Sequence, residues 1–441
     1  MFAYYLNLAL RSLRRNKMLT ALMVLAIAVG IGASMTTLTV MHLLSGDPLP
    51  GRSAHIFYPQ VDPSPTVDPQ HHPWDVMDFH SAMNLWTAHR ADRQALVAHA
   101  AVKLRAPATN LPPLMVQALA TTSDFFPMFG VPFAYGQGWS SDDDAKHARV
   151  AVISDDLNRK LFGAANSVGR VLRLKDSDVR IVGVLKPWRP SPAFFDVRGG
   201  RYSNGDTASF YAKPEDVILP FSSSGDIAPT DLQPFTCWAN WDVGVKPLQD
   251  SPCLWVALWV ELDSAAKVDG YRRFLAGYAA EQKQLGRIGN ANNTDMMSLL
   301  QWLDYNGVVP SDVRLQTWLA FAFLGICLIN TVGLLLAKFL RRSGEIGVRR
   351  ALGATRGAVF AQCLVEAGLI GLIGGVSGWL LSLFGLWLVR RQPVEYADLA
   401  HLDATMFLVT FALAVAASLL AGVLPALRAS RVAPALQLKS L

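Results

Sequence analysis

Four apolar stretches constrain this chain more than any other feature of its sequence. They cover residues 19–44, 315–337, 368–389 and 404–427. Each meets the roughly 20 residues that a helix needs to cross a bilayer. The first has no Asp, Glu, Lys or Arg between Lys17 and Asp47. It is far longer than the roughly 7–15 residue core of a signal peptide, and no small-x-small cleavage site follows it, so a retained span is expected. Hydrophobic residues make up 51% of the sequence and charged residues still reach 17%. With a mean hydropathy of +0.26, that mixture points to spans joined to a sizeable polar domain.

Charge sets the orientation. Arg11, Arg14, Arg15 and Lys17 precede the first span. Lys338, Arg341, Arg342, Arg349, Arg350 and Arg356, against the single acid Glu345, fill the loop between the second and third. Arg428, Arg431 and Lys439 follow the last. These segments hold more positive charge than the whole chain's net +6, so the remainder is acidic. By the positive-inside rule the three basic segments are cytoplasmic and both termini lie inside. Basic character confined in this way is a membrane signal and gives no reason to expect nucleic acid as a partner.

The expected layout is a cytoplasmic amphipathic segment (1–18), a first span (19–44) and a large domain outside the cytoplasm (45–314). A second span (315–337), a cytoplasmic loop (338–357) and a third helix with an interfacial start (358–389) come next. A short external loop (390–403), a fourth span (404–427) and a cytoplasmic tail (428–441) complete it. The fold class is therefore membrane α-helical with four spans and a large α+β domain inserted between the first and second. That domain is long enough for a real core and for two subdomains. Its opening, 48–73, is rich in Pro, His and Asp and reads mainly as irregular. Val76, Phe79, Met83 and Trp86 recur at helical spacing within 74–89. Strands are expected at 97–104, 114–120, 149–154, 215–221 and 253–262. Helices are expected at 155–162, capped by Ser154 or Asp155, and at 268–285. Residues 168–174 and 179–185 read as a hairpin around a turn at 175–178.

The cytoplasmic loop contains the string Glu345-Ile-Gly-Val-Arg-Arg-Ala-Leu-Gly-Ala354. It resembles the loop of MacB/FtsX-type ABC transporter permeases. The phrases TTSDFFPMFGVPFAYGQGW, VAVISDDLNRKLFG, SVGRVLRL and VRIVGVL, in order across 121–185, are similar to the periplasmic core of that family. So are ALRSLRRNK before the first span and PALRASRVAP after the last. The resemblance covers nearly the whole chain. It implies that Gly344, Glu345, Ile346, Gly347, Val348, Arg349, Arg350, Ala351, Leu352 and Gly353 form a short helix that docks on a separate ATPase. There Ala351 and Leu352 would offer an apolar face and Glu345 would meet a partner cation. Arg341 and Arg342 read as ordinary positive-inside anchors.

The resemblance further implies a bacterial inner-membrane permease that works as a homodimer or heterodimer with an ABC ATPase dimer. In MacB-type systems such a subunit transmits ATP-driven motion to export a substrate through a periplasmic adaptor and an outer-membrane channel. Lipoprotein release of the Lol type and regulation of a periplasmic partner of the FtsX type are the alternatives. No G-x-x-x-x-G-K-[ST] loop occurs, so no cofactor is expected on this chain, and ATP and Mg are expected on the partner.

Within the spans, Gly371, Gly374, Gly375 and Gly378 form two overlapping G-x-x-x-G pairs, and Ala26, Gly30 and Ser34 make a similar stripe. Both read as seams for close helix packing. Glu366, just inside the third helix, is a functional candidate that would snorkel or pair with a nearby Arg. No G-x-S-x-G or H-E-x-x-H string places a nucleophile or zinc, so neither a catalytic residue nor a metal site is expected. His71, His72, Asp75 and His80 match no established ligand spacing. Asp142-Asp143-Asp144 reads as a solvated turn. Trp238, Trp241, Trp255 and Trp259 would line an apolar path or pack a core. Cys237 and Cys253 lie where an oxidising compartment permits a disulfide.

Overall fold

The computed structural model describes residues 2–65, 72–105, 112–401 and 404–431. The chain divides into two compact units, Met1–Gly46 with Val309–Leu441, and Asp47–Val308. The second is one unit where two subdomains were expected.

The helical unit opens with α1 (Phe2–Arg15) and α2 (Lys17–Leu44). The α+β unit follows with β1 (Ile56–Val61), α3 (Phe79–Thr87), β2 (Arg93–Arg105), β3 (Leu114–Thr121), α4 (Phe125–Phe129), β4 (Phe133–Gly136), α5 (Ser141–Ala145), β5 (Val150–Ile153) and α6 (Asp155–Phe162). Then come β6 (Val171–Leu174), β7 (Ser177–Leu185), β8 (Val217–Pro220), α7 (Phe221–Ile227), β9 (Thr236–Cys237), β10 (Cys253–Leu254), β11 (Ala257–Glu261), α8 (Ala265–Gln284), β12 (Thr294–Ser298) and α9 (Leu299–Tyr305). The helical unit resumes with α10 (Ser311–Leu340), α11 (Ser343–Ala351), α12 (Arg356–Val389) and α13 (Ala404–Ser430).

Among the described residues, ten strands make one sheet in the order β12-β1-β11-β2-β3-β8-β5-β7-β4, with β6 pairing β2 and β7. Strand β2 explains why there is a single unit. Its start pairs β11, its middle pairs β3 and its end reaches β6. Aromatic rings fill the interior: Tyr58 stacks on Trp302 at 4.1 Å and meets Trp259 edge-on at 4.7 Å.

Several elements follow local chemistry. Helix α6 starts where Ser154 Oγ accepts the Leu157 N–H at 3.1 Å, and it ends at Gly163 with φ +64°. In the hairpin, Leu174 pairs directly with Ser177, so the turn is only Lys175-Asp176. Three expectations need correction. Strand β1 lies in the stretch read as irregular; its pairing with β11 stops at Phe57, so Pro59 sits beyond the two-sided ladder and pairs only Met296 of β12. Helix α3 starts at Phe79 because Asp78 caps it and Met77 is held in a bridge to Val256. Asp142–Asp144 belong to α5, capped by a Ser140–Asp143 box, and Asp144 is buried.

Four helices, Lys17–Leu44, Ser311–Leu340, Arg356–Val389 and Thr405–Ser430, are long and apolar enough to cross a membrane. They overrun the expected boundaries. Helix α10 absorbs 311–314 and 338–340, α12 starts at Arg356, and α13 continues to Ser430. Residues 402–403 and 432–441, with Lys439 and the last three residues of the PALRASRVAP string, lie outside the described residues.

Candidate functional site

Helix α11 is set off by its ends. Gly353 at φ +99° takes a conformation that a side chain resists, and the chain turns there. Thr355 Oγ1 then accepts the Ala358 N–H at 3.2 Å and starts α12.

The face of α11 toward its own unit carries Gly347, which is buried, and half-buried Ile346, which packs with the core around Phe339, Val359 and Cys363. Gly344 is half-buried in the first turn. Arg349 Nη1 donates to Gln362 Oε1 at 2.9 Å, and Arg350 Nη1 to the Ser430 carbonyl at 3.4 Å. Outward lie Glu345, Val348, Ala351, Leu352 and Gly353. Val348 and Leu352, one turn apart, are 43% and 83% exposed. That pair forms an apolar stripe on an otherwise charged helix.

Behind α11 sits an ion network. Glu366 of α12 is 1% exposed and Lys338 of α10 is 0% exposed. Lys338 Nζ meets Glu366 Oε1 at 2.7 Å, and Arg342 Nη1 meets Glu366 Oε2 at 3.2 Å. Ser12 of α1 donates to Glu366 and accepts from Arg342 Nη1 at 2.8 Å. Arg342 Nε reaches Glu345 Oε2 at 2.9 Å, and Arg15 Nη1 reaches Glu345 Oε1 at 3.0 Å. Signs alternate along the chain of contacts, so each buried charge has an opposite neighbour, as burial requires. The hydrogen bond from Arg342, helped by Arg15, holds the Glu345 carboxyl below its ordinary range despite some burial.

Two expectations change here. Arg342 is no simple anchor; it joins Ser12, Glu345 and Glu366, while Arg341 stays exposed. Glu345 already holds two cations of its own chain. Glu366 takes the pairing alternative, with a buried Lys as well as an Arg.

The small-residue seams set the helices that carry this network. A methyl added at Gly371 would lie 1.9 Å from Ser418 Oγ, and at Gly375 2.6 Å from Ala414 Cβ, both on α13. On α12's other side, Gly374 and Gly378 face Ile27 and Ile31 of α2 at 2.7 and 3.0 Å. Gly30 approaches Leu324 and Cys327 of α10, and Ser34 Oγ donates to the Ala320 carbonyl at 3.0 Å. Ala26, one turn earlier, is half-buried.

In the α+β unit, Cys237 and Cys253 face each other across β9 and β10 and are bonded. Trp255 and Trp259 are core residues, and Trp238 is 42% exposed. The histidines and Asp75 are not gathered: Asp75 pairs Arg201 at 2.7 Å, His72 lies edge-on to Tyr305, His80 stands 3.9 Å from Asp250, and His71 lies outside the described residues. Sequence reading missed a different cluster. Buried His99 places Nε2 2.9 Å from Asp196 and Nδ1 2.7 Å from Glu215. Burial alone would lower its pKa, but Asp196 and Glu215 outweigh that and raise it to about 9. Its two nitrogens face different acids, which suits an imidazolium strut. No local motif announces it, since the three residues come from well-separated positions.

Comparison with known proteins agrees with this architecture. Residues 318–434 match the FtsX-like permease C-terminal model. The macrolide export ATP-binding/permease protein MacB of Shewanella oneidensis is 27% identical over 320 residues, covering 70% of this chain and 41% of the relative. The pyoverdine export ATP-binding/permease protein PvdT of Pseudomonas aeruginosa is 23% identical over 321 residues, covering 72% and 41%. The chain thus spans about two-fifths of the length of the curated relatives it matches. The crystal structure of the periplasmic region of MacB from Actinobacillus actinomycetemcomitans aligns at 9% identity and a TM-score of 0.35, over 56% of this chain and 91% of that one. Residues 20–269, more than half of the chain, match the MacB-like periplasmic core domain model, and the chain belongs to that family.

Proposed function

We propose that this chain is the permease subunit of a MacB-type ABC transporter. It takes ATP-driven motion from a separate ATPase dimer at α11 and passes it to the α+β unit. That unit is inserted between the first and second spans and stands in the periplasm. The motion serves export of a substrate (drug, peptide or metabolite) across the cell envelope. Two relatives are named for export, of macrolide and of pyoverdine.

The observation that carries the reading is the two-sided build of α11. Its outer side offers Val348 and Leu352 to a groove, while Glu345 pairs with Arg15 of α1 and with Arg342, and Arg342 leads through Glu366 of α12 to Lys338 of α10. A push on α11 is therefore delivered to three helices at once. By the positive-inside rule the basic segments favour a cytoplasmic position, at the inner membrane, for α1, α11 and both termini. ATP and Mg belong on the ATPase, since this sequence has no phosphate loop. A second permease subunit completes the complex, and an adaptor and outer-membrane channel would carry the substrate onward. Lipoprotein release and regulation of a periplasmic partner would use the same input helix, but no described feature favours either.

The test is co-expression and co-purification with an ABC ATPase from the same host. Leu352→Glu places a charge on the exposed stripe without touching the core. The ATPase is expected to be lost at unchanged stability of the permease. Retention at the wild-type level would refute α11 as the docking element.

A further inference from the structure

We infer that the end of α12 binds an anionic phospholipid, with the headgroup phosphate on Arg390 and Arg391 and one acyl chain along the outward face of the helix. The inference rests on α12 crossing a membrane and is independent of any ATPase.

The outward face follows from helical spacing. Val376, Leu380, Phe384 and Trp387 are all exposed and recur every three or four residues, so they form one stripe. The opposite face holds Gly371, Gly374, Gly375 and Gly378 and is buried against α2 and α13. An exposed apolar stripe on a span faces acyl chains.

Arg391 continues that stripe one turn past Trp387. Its guanidinium lies 3.9 Å from the centroid of the Trp387 ring, a cation–π contact that holds it in line. The Trp387 ring in turn stacks on Phe384 at 5.6 Å. Leu380 and Arg391 are about 16 Å apart along the helix axis, and one leaflet of the hydrocarbon core is about 15 Å deep. The stripe is thus as long as one leaflet and ends in a cation at headgroup depth.

Charge completes the site. Arg390 and Arg391 are both exposed, and Arg390 Nη1 lies 3.1 Å from His401 Nδ1. Among the described residues neither arginine forms an ion pair, although Glu395 and Asp398 follow in the same stretch. Two adjacent guanidinium groups therefore keep most of their N–H donors, and their planar forks match phosphate oxygens. Their position is informative as well. Helix α12 starts at Arg356, beside α11, and carries the pair to the other face of the membrane. Positive-inside anchoring accounts for arginines on the α11 side and gives no reason for two on the opposite side. A phosphodiester supplies an anion there. A lipid with no ammonium of its own leaves that phosphate free for the arginines.

The test places a fluorophore at Leu388→Cys, an exposed position beside Trp387. Cys327 and Cys363 are buried and Cys237 is bonded to Cys253, so the introduced thiol takes the label. The full chain is reconstituted in phosphatidylcholine nanodiscs. Quenching is then read with phosphatidylglycerol or phosphatidylethanolamine, each carrying a nitroxide on its acyl chain, at equal low mole fraction. Phosphatidylglycerol is expected to quench about fivefold more strongly, the scale set by one arginine near anionic lipid. Arg390→Gln with Arg391→Gln should bring the two lipids level at unchanged thermal stability. Inorganic phosphate, matched against chloride at the same ionic strength, should leave the preference intact. Equal quenching by the two lipids in the wild type, a preference that survives the double substitution, or its loss to inorganic phosphate would each overturn the assignment.

Discussion

Gly371 and Gly374 of the helical unit sit where a single methyl would strike Ser418 and Ile27, whereas Trp255, Trp259 and Trp302 fill the α+β unit at no more than 1% exposure. The two regions reach close packing by opposite means. Between helices in a bilayer, apolar burial gives little drive because lipid is equally apolar, so small residues that bring backbones together are selected. In water, burying large rings is itself the drive. Charge follows a parallel contrast. The helical unit buries Lys338 and Glu366 where α1, α2, α10 and α12 meet. The α+β unit buries His99 between two acids, fixing the 194–198 segment and the entry to β8 against β2.

This contrast can be broken in order of expected effect. Glu366→Leu leaves Lys338 charged and fully buried, which should cost about 3–5 kcal/mol of helical-unit stability. Adding Lys338→Met should recover most of it. Thermal unfolding in detergent checks both, and a single variant as stable as the pair would show that the ions are not coupled. Gly371→Val should cost about 1–3 kcal/mol by overpacking α12 on α13, whereas a valine at surface-facing Gly277 of α8 should cost nothing, since the site is open and valine is a better helix former than glycine.

His99 gives a pH test confined to the α+β unit. Its folded pKa of about 9 exceeds the ordinary 6.5, so its proton stabilises the fold. That contribution, on the order of 3 kcal/mol, is complete below pH 6.5 and lost as pH rises through about 9. Denaturation between pH 6 and 10 should show the fall, and His99→Asn should flatten it. The smallest effect is expected from Arg15→Gln. Its pair with Glu345 is exposed, so the change should stay within about 1 kcal/mol.

Much of this was legible in the sequence. The spans followed from length and composition, and the α11 string stood out between them. Helix α6 has the ends the sequence leads one to expect, and of the two expected caps Ser154 is the one that starts it. What escaped has a physical reason. Pro59 disguised β1, since Pro is excluded only where both sides of a strand are paired. The ion network joins Ser12 to Glu366, 354 residues apart, and no spacing rule reaches that far. Asp144 looked solvated beside two other acids, yet it accepts the Trp139 Nε1–H at 2.9 Å and the Ser123 N–H at 2.7 Å. His99, Asp196 and Glu215 are brought together only by tertiary pairing.

The central claim is that motion enters at α11 and leaves through the network behind it. The most direct measurement is hydrogen exchange across residues 47–308 in the complex with its ATPase, with and without ATP, for the wild type and for Glu366→Leu with Lys338→Met. The account predicts that ATP alters exchange in the wild type. In the double variant the ATPase should remain bound and hydrolyse ATP while exchange in the α+β unit no longer responds. An unchanged ATP response in the double variant would contradict transmission through the network.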